Sequence, residues 1–182
     1  SGKSTLLNLI SLIDRPTNGS IKFDKNLVNF NDKNKNDIFR AKKIGIVYQQ
    51  NNLLPDFTAL ENLYLASLSI NDNKKMAMLK AESLLKKIGL SNRSNHFPSQ
   101  LSGGESQRIA IARAIINDPD IILADEPTGS LDIKTAKIIF SLLNKQKKPN
   151  RLIIFATHNR FFAKKADYLL ELTDGSIKTT NA

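Results

Sequence analysis

Three short stretches hold residues whose types and spacing can do chemistry. Ser1-Gly2-Lys3-Ser4-Thr5 has the ending of the pattern G-x-x-x-x-G-K-[ST]. In that pattern backbone N–H groups cradle phosphates, the lysine reaches the β and γ phosphates, and the next hydroxyl takes Mg²⁺. Gly2, Lys3, Ser4 and Thr5 are therefore candidate nucleotide ligands, although a bare Gly-Lys-Ser-Thr occurs often by chance. In Leu101-Ser102-Gly103-Gly104-Glu105, Ser102 and Glu105 have the spacing of a capping box, so a helix begins at Ser102. The two glycines leave its first turn bare enough for an anion to reach free N–H groups and the positive end of the helix dipole. Taken alone, a capping box is ordinary helix architecture. The third stretch, Ile121-Ile122-Leu123-Ala124, is all apolar, as strands buried in a parallel sheet are. It ends in Asp125-Glu126, two carboxylates at the strand's carboxyl end, where α/β sheets place ligands.

These residues need a scaffold, and its elements can be read from periodicity and turn chemistry. An apolar helix follows the first stretch, from Leu6 to Ile13, and Asp14 to Gly19 stops it and turns into a short strand, Ser20 to Phe23. Asp24 to Asn36 has no apolar periodicity and reads as a solvated loop, followed by a short helix from Ile38 to Lys43. Ile44 to Tyr48 reads as a buried strand ending at Gln49. Thr58 and Glu61 form a second capping box, opening a helix from Ala59 towards Ile70. A further amphipathic helix runs from Lys74 to Ile88, with Met76, Leu79, Leu84, Leu85 and Ile88 as its apolar face. The helix from Ser102 to Ile116 is apolar nearly all round and so largely buried. Asp132 is placed to cap a helix from Ile133 to Lys145, and Arg151 to Thr157 is another buried strand, ending in His158. A hairpin, Tyr168 to Leu172 and Ser176 to Thr179, turns through Asp174-Gly175. Strands alternating with helices imply a mainly parallel α/β sheet.

Bulk properties narrow the classes. At 182 residues the chain can bury one real core. No apolar run approaches the roughly 20 residues that span a bilayer, so attachment to a membrane would go through a partner. With no cysteine there is no disulfide framework and no thiolate metal site. The net charge of +10 is scattered over the sequence and reads as a solvated basic surface, so no nucleic acid is expected as a partner. The sequence opens on Ser1 and holds no methionine before Met76. It therefore reads as a chain without the front of its first motif, and a polypeptide truncated there is expected to bind nucleotide poorly.

Taken together, Leu101 to Arg108, the Asp125-Glu126 pair and the Gly-Lys-Ser-Thr tail resemble the nucleotide-binding subunits of ABC transporters, whose signature is LSGGQ and whose Walker B ends in Asp-Glu. Glu105 stands where that signature has glutamine, a variant the family tolerates. The resemblance covers essentially the whole chain. It implies an α/β P-loop NTPase of the ABC ATPase fold: one nucleotide-binding domain over residues 1–182 lacking its N-terminal strands, with a helical subdomain inserted over about residues 58–116. It also implies an ATPase using ATP and Mg²⁺. Lys3 would neutralise phosphate charge, Ser4 and Asp125 would act on the metal, and Gln49 would reach the metal or the attacking water. Glu126 would be the general base, and His158 would hydrogen-bond the γ-phosphate and the water. Ser102, Gly103 and Gly104 would close on the nucleotide held by a second copy of the chain, with Asp132 lying across the interface between the two.

The implied partners are that second copy and integral membrane permease subunits, at the cytoplasmic face of a bacterial inner membrane. Leu53 to Asn62, His96 to Glu105 and Ala124 to Asp132 are similar to the lipoprotein-releasing branch of the family, which hands outer-membrane lipoproteins to a periplasmic carrier. Macrolide-export and cell-division ATPases share several of these stretches. A soluble ABC protein acting on ribosomes or DNA is the competing reading from another class, and a non-catalytic binding module is the third.

Overall fold

The structure, a computed structural model, describes residues 2–70 and 73–181, so Ser1 of the first motif lies outside the described residues. In chain order the elements are α1 (Lys3–Ile10), β1 (Lys22–Phe23), β2 (Asn26–Leu27), α2 (Lys33–Lys43), β3 (Ile44–Val47), α3 (Ala59–Leu68) and α4 (Lys74–Lys87). They continue with α5 (Gly103–Ile115), β4 (Ile121–Asp125), α6 (Ile133–Asn144), β5 (Leu152–Ala156), α7 (Arg160–Ala163), β6 (Tyr168–Thr173) and β7 (Ser176–Asn181). Two 3-10 turns, Ser91–Arg93 and Pro98–Gln100, lead into α5.

Everything is arranged about a parallel sheet in the order β3-β4-β5. Side chains alternate across a strand, and β4 shows why its sequence is apolar without a break. Ile122 and Ala124 face a cluster with Ile111 of α5 and Ile139 and Leu143 of α6. Leu123 faces the other way, into a cluster with Leu7 of α1, Ile44 and Ala156. Both faces are covered by helices, the condition under which a parallel strand loses its polar side. On β3, Gly45 is required by contact: a Cβ there would collide with the carbonyl oxygen of Ala114 on α5. The close approach of strand to helix depends on that missing side chain.

A third cluster lies beside the sheet. Ala59 and Leu63 of α3, Ala81 and Leu85 of α4, and Ile109 and Ala112 of α5 are buried together with Ile88, Leu90 and Ile116. α5 contributes to this cluster and, through Ile111, to the sheet cluster, which explains its nearly all-round apolar character. Burying Leu63, Leu85 and Ile109 almost completely is worth about 1.5–3 kcal/mol per side chain.

Several expectations need correction. The apolar face of α4 does not use Met76 and Leu79, which are 45% and 50% exposed. Its buried residues are Ala77, Ala81 and Leu85, whose i, i+4 row sets small side chains against α3 and lets the two helices approach. The stretch 24–36 is not all loop: β1 and β2 pair antiparallel, and α2 starts at Lys33, five residues before the expected helix. Asp32 caps it, accepting from Lys35 N at 3.1 Å. No residue of α2 is buried, so it leaves no apolar period to read. α1 begins at Lys3 and ends at Ile10, short of the expected Ile13, because Leu12 takes a left-handed φ of 61°.

Candidate active site

The register of the sheet assembles the chemistry. Val47 pairs with Ala124, and Asp125 pairs with Ala156. Gln49 and His158, each two residues past its strand's last paired residue, therefore leave the carboxyl edge on either side of Asp125-Glu126. α1 packs under this edge through Leu7 against Leu123 and Ala156, bringing Gly2, Lys3, Ser4 and Thr5 to the same place. The result is a cleft of about 1080 Å³ whose walls include Gly2, Lys3, Ser4, Thr5, Gln49, Asp125, Glu126 and His158.

Glu126 is the most unusual residue there. Its φ of 44° is left-handed, a conformation that costs a non-glycine residue about 1 kcal/mol or more. Backbone hydrogen bonds hold it: Glu126 N donates to Ala156 O at 2.9 Å, and Gly129 N donates to Glu126 O at 3.0 Å. Its side chain is 13% exposed, and Oε1 is buried without a hydrogen-bond partner. His158 Nε2 lies 3.6 Å from that oxygen, with the imidazole 78% exposed. A buried carboxylate oxygen lacking a donor is costly unless a ligand or water proton completes it.

At the start of α1, Gly2 has φ 81°, no side chain caps the helix, and no acidic residue stands in the first turn. A helix end of this kind offers N–H groups and the positive pole of the dipole to an anion. The start of α5 is finished differently. Ser102 Oγ accepts from Glu105 N at 3.2 Å, and Glu105 Oε2 accepts from Ser102 N at 2.8 Å. Ser102, Gly103 and Gly104 do not line the cleft, and neither does Asp132. Asp132 accepts from Lys134 N at 2.9 Å and Thr135 N at 3.0 Å, and the Thr135 side chain first, then these two backbone N–H groups, hold its carboxyl below the usual range. The starts of α5 and α6 touch: a Cβ on Gly104 would come within 2.6 Å of Thr135 Cγ2. Leu131 and Ile133 line the cleft, so the glycines sit just outside its rim.

The cleft also has walls that sequence reasoning missed. Asn159, Phe161 and Phe162 line it from α7, a helix of 4 residues that is too short to show a period. The available signal was Asn159, whose Oδ1 accepts from Phe161 N at 3.0 Å as a helix cap. Thr128, Gly129 and Lys137 complete that side.

The donors present fit Mg²⁺. The Ser4 hydroxyl, the Gln49 amide oxygen and the Asp125 carboxylate are hard oxygen ligands, and magnesium takes few protein ligands with the rest from phosphate and water. Among the described residues no group of three or more His, Cys, Asp or Glu could hold a metal alone.

A family model described as "ABC transporter" matches residues 1–129. The chain belongs to the ABC transporter family. It is an ATP-binding subunit with the ABC ATPase fold, and it is an ATPase. This ABC subunit is 44% identical over 178 residues to the lipoprotein-releasing system ATP-binding protein LolD of Rickettsia bellii, covering 97% of this chain and 78% of that one. It is 46% identical over 184 residues to the LolD of Wigglesworthia glossinidia brevipalpis, covering 100% and 80%. It is also 42% identical over 176 residues to the uncharacterized ABC transporter ATP-binding protein MJ1508 of Methanocaldococcus jannaschii, covering 97% and 79%. Among solved structures, the dimeric post-hydrolysis state of the ATP-binding cassette MJ0796 bound to ADP and Pi has a TM-score of 0.90 at 39% identity, covering 99% of this chain and 80% of that one. No helix among the described residues of the ABC subunit is long and apolar enough to cross a membrane.

Proposed function

We propose that this ABC ATPase works as a pair of copies with ATP held between them, driving LolC/LolE-like permease subunits that release outer-membrane-directed lipoproteins from the inner membrane to a periplasmic carrier. The observation that carries the catalytic part is the gathering of Lys3, Ser4, Gln49, Asp125, Glu126 and His158 around one cleft. The dimeric, ADP-bound state of the MJ0796 cassette supports the paired arrangement, and the names of the LolD relatives support the cargo.

Phosphoryl transfer to water needs charge neutralisation and a positioned nucleophile more than covalent chemistry. Lys3 neutralises charge on the β and γ phosphates. Mg²⁺, held by Ser4, Gln49 and Asp125, supplies further neutralisation when bound. Glu126 Oε1 takes a proton from the attacking water as its oxygen bonds to the γ-phosphorus and the bond to the ADP oxygen breaks. His158 holds that water and a γ-phosphate oxygen by hydrogen bonds, and the Gln49 amide orients the water. Ser102, Gly103 and Gly104 of one copy close on the triphosphate in the cleft of the other, with Asp132 at the junction.

Residues 58–116, approximately, act as the helical subdomain facing the permease. Their start is bonded to the connector before α5, with Ala59 N donating to His96 O at 2.8 Å and Leu60 N to Ser94 O at 3.0 Å. Leu54, Phe57 and Phe97 lie exposed around this junction at 41%, 39% and 42%, an apolar surface for a membrane subunit at the cytoplasmic face.

Replacing Glu126→Gln tests the base. Turnover of ATP should fall about 10²- to 10⁴-fold, while ATP-dependent dimers persist by light scattering. Full turnover in the variant would overturn the assignment. For the cargo, the neighbouring reading frames decide: permease genes with four spans beside this one support lipoprotein release, and genes for a macrolide-export or cell-division system overturn it.

A further inference from the structure

The start of α5 carries a negative charge at the place where the proposed reading brings a triphosphate. Glu105 is the third residue of the helix, and its Oε2 is taken by Ser102 N at 2.8 Å. Ser102 Oγ accepts from Glu105 N at 3.2 Å, and the Ser102 side chain also bonds the Glu105 carboxylate. The reciprocal box fixes the helix end. It also places a full carboxylate in the first turn, where its field opposes any anion that the dipole and the bare N–H groups attract.

One residue outside the helix answers that charge. Arg93 Nε lies 2.9 Å from Glu105 Oε1, the oxygen the capping box does not use. The carboxylate is only 16% exposed and the guanidinium 38% exposed, so solvent screens this pair less than an open surface pair. The Glu105 carboxyl is held at about 2, first by the Ser102 backbone N–H and then by Arg93. Arg93 does not owe its place to Glu105 alone. Its own N–H donates to Leu90 O at 2.9 Å, and its Nη1 lies 3.4 Å from His96 Nε2. The flanking carbonyls of Ser94 and His96 accept from the start of α3. The guanidinium is thus presented by the 3-10 turn and by α3, and the carboxylate by α5.

We propose that Arg93 is a positioning residue for the phosphate site at the start of α5: by neutralising and orienting Glu105 it lets Ser102, Gly103 and Gly104 close on the triphosphate of the second copy. Arg93 itself touches no nucleotide. The proposal rests on the reading that α5 closes on a nucleotide across a dimer, and it adds why this chain can carry glutamate at a position where the signature has a neutral glutamine. A chain with glutamine there has no charge to compensate.

The test is a double-mutant cycle in the full-length chain carrying Glu126→Gln, read as the ATP concentration that drives half-dimerisation by light scattering, with thermal melting without nucleotide as the second measurement. Arg93→Met should raise that concentration about tenfold, because it leaves a partly buried carboxylate uncompensated beside the phosphate. Glu105→Gln should leave it close to the parent. Arg93→Met combined with Glu105→Gln should return it to within about twofold of Glu105→Gln alone, since the charge that needed Arg93 is gone. Melting will show any loss of a merely structural staple, which the combined variant would retain. The proposal is overturned if Arg93→Met dimerises like the parent, or if the combined variant stays as weak as Arg93→Met. If the Glu126→Gln parent itself forms no ATP-dependent dimer, the reading of α5 fails and takes the role of Arg93 with it.

Discussion

Two helix starts in this chain are proposed to meet phosphate, and they are built on opposite principles. α1 opens on Gly2 with a left-handed φ, no side-chain cap and no acid in its first turn. α5 opens on a complete capping box, with Glu105 in its first turn and Arg93 on that acid. An end without a cap has its N–H groups directed at whatever anion arrives, and its structure gains from the ligand. An end that caps itself is formed before any ligand comes and offers only what the cap does not use. Under the proposed pairing, that suits a surface that stays folded while two copies are apart, and the difference separates a proposed site made by binding from one made by folding.

The contrast can be broken or sharpened, starting with the largest effect. Lys3→Ala should weaken binding of a fluorescent ATP analogue by about 100-fold and leave the nucleotide-free melting temperature nearly unchanged. A large loss of nucleotide-free stability would erase the distinction. Ser102→Ala should do the reverse without ligand, costing about 1 kcal/mol of stability, a drop of roughly 2–4 °C by scanning calorimetry for a chain of this size. A melting temperature equal to the parent's would mean that the α5 cap is idle.

A further effect lies in the acid limb. The folded Glu105 carboxyl sits at about 2, below its ordinary 4.5. Its contribution to stability is therefore complete above the ordinary carboxylate range and is lost as pH falls towards about 2. Glu105→Gln should flatten that part of a denaturation curve measured from pH 5 to pH 2, in a region where the α1 start, with no acid, contributes nothing. The smallest change is a control away from both ends. Lys147→Ala breaks an exposed pair with Asp167 at 2.9 Å and should alter stability by less than about 1 kcal/mol in urea unfolding.

Local chemistry made much of this legible. The boxes at Thr58-Glu61 and Ser102-Glu105 and the cap at Asp132 all form as their spacing dictates, because a cap is decided within four residues. The strand before Asp125 and the strand before His158 were readable because a parallel strand covered on both faces has to be apolar throughout. What failed were elements whose cause is not local periodicity. α2 buries no residue fully, α7 is too short to repeat, and on α4 Met76 and Leu79 were misassigned to an inner face that does hold Leu85 and Ile88, because leucine and methionine outweigh alanine in any apolar count. Arg93 left no signal, since its partner lies 12 positions away and the pair exists only when the 3-10 turn comes back to α5.

The sequence by itself determined which groups could do chemistry, where the capped helices begin and that the central strands are buried, because each of these is fixed by neighbours along the chain. The tertiary structure alone decided that Gln49 and His158 flank Glu126, that Glu126 Oε1 is buried without a donor, and that Gly104 rests against Thr135 and Gly103 against Leu131, outside the cleft. Those facts depend on strand register and on helix-to-helix contact, and both are set by which apolar faces pack together rather than by the order of residues.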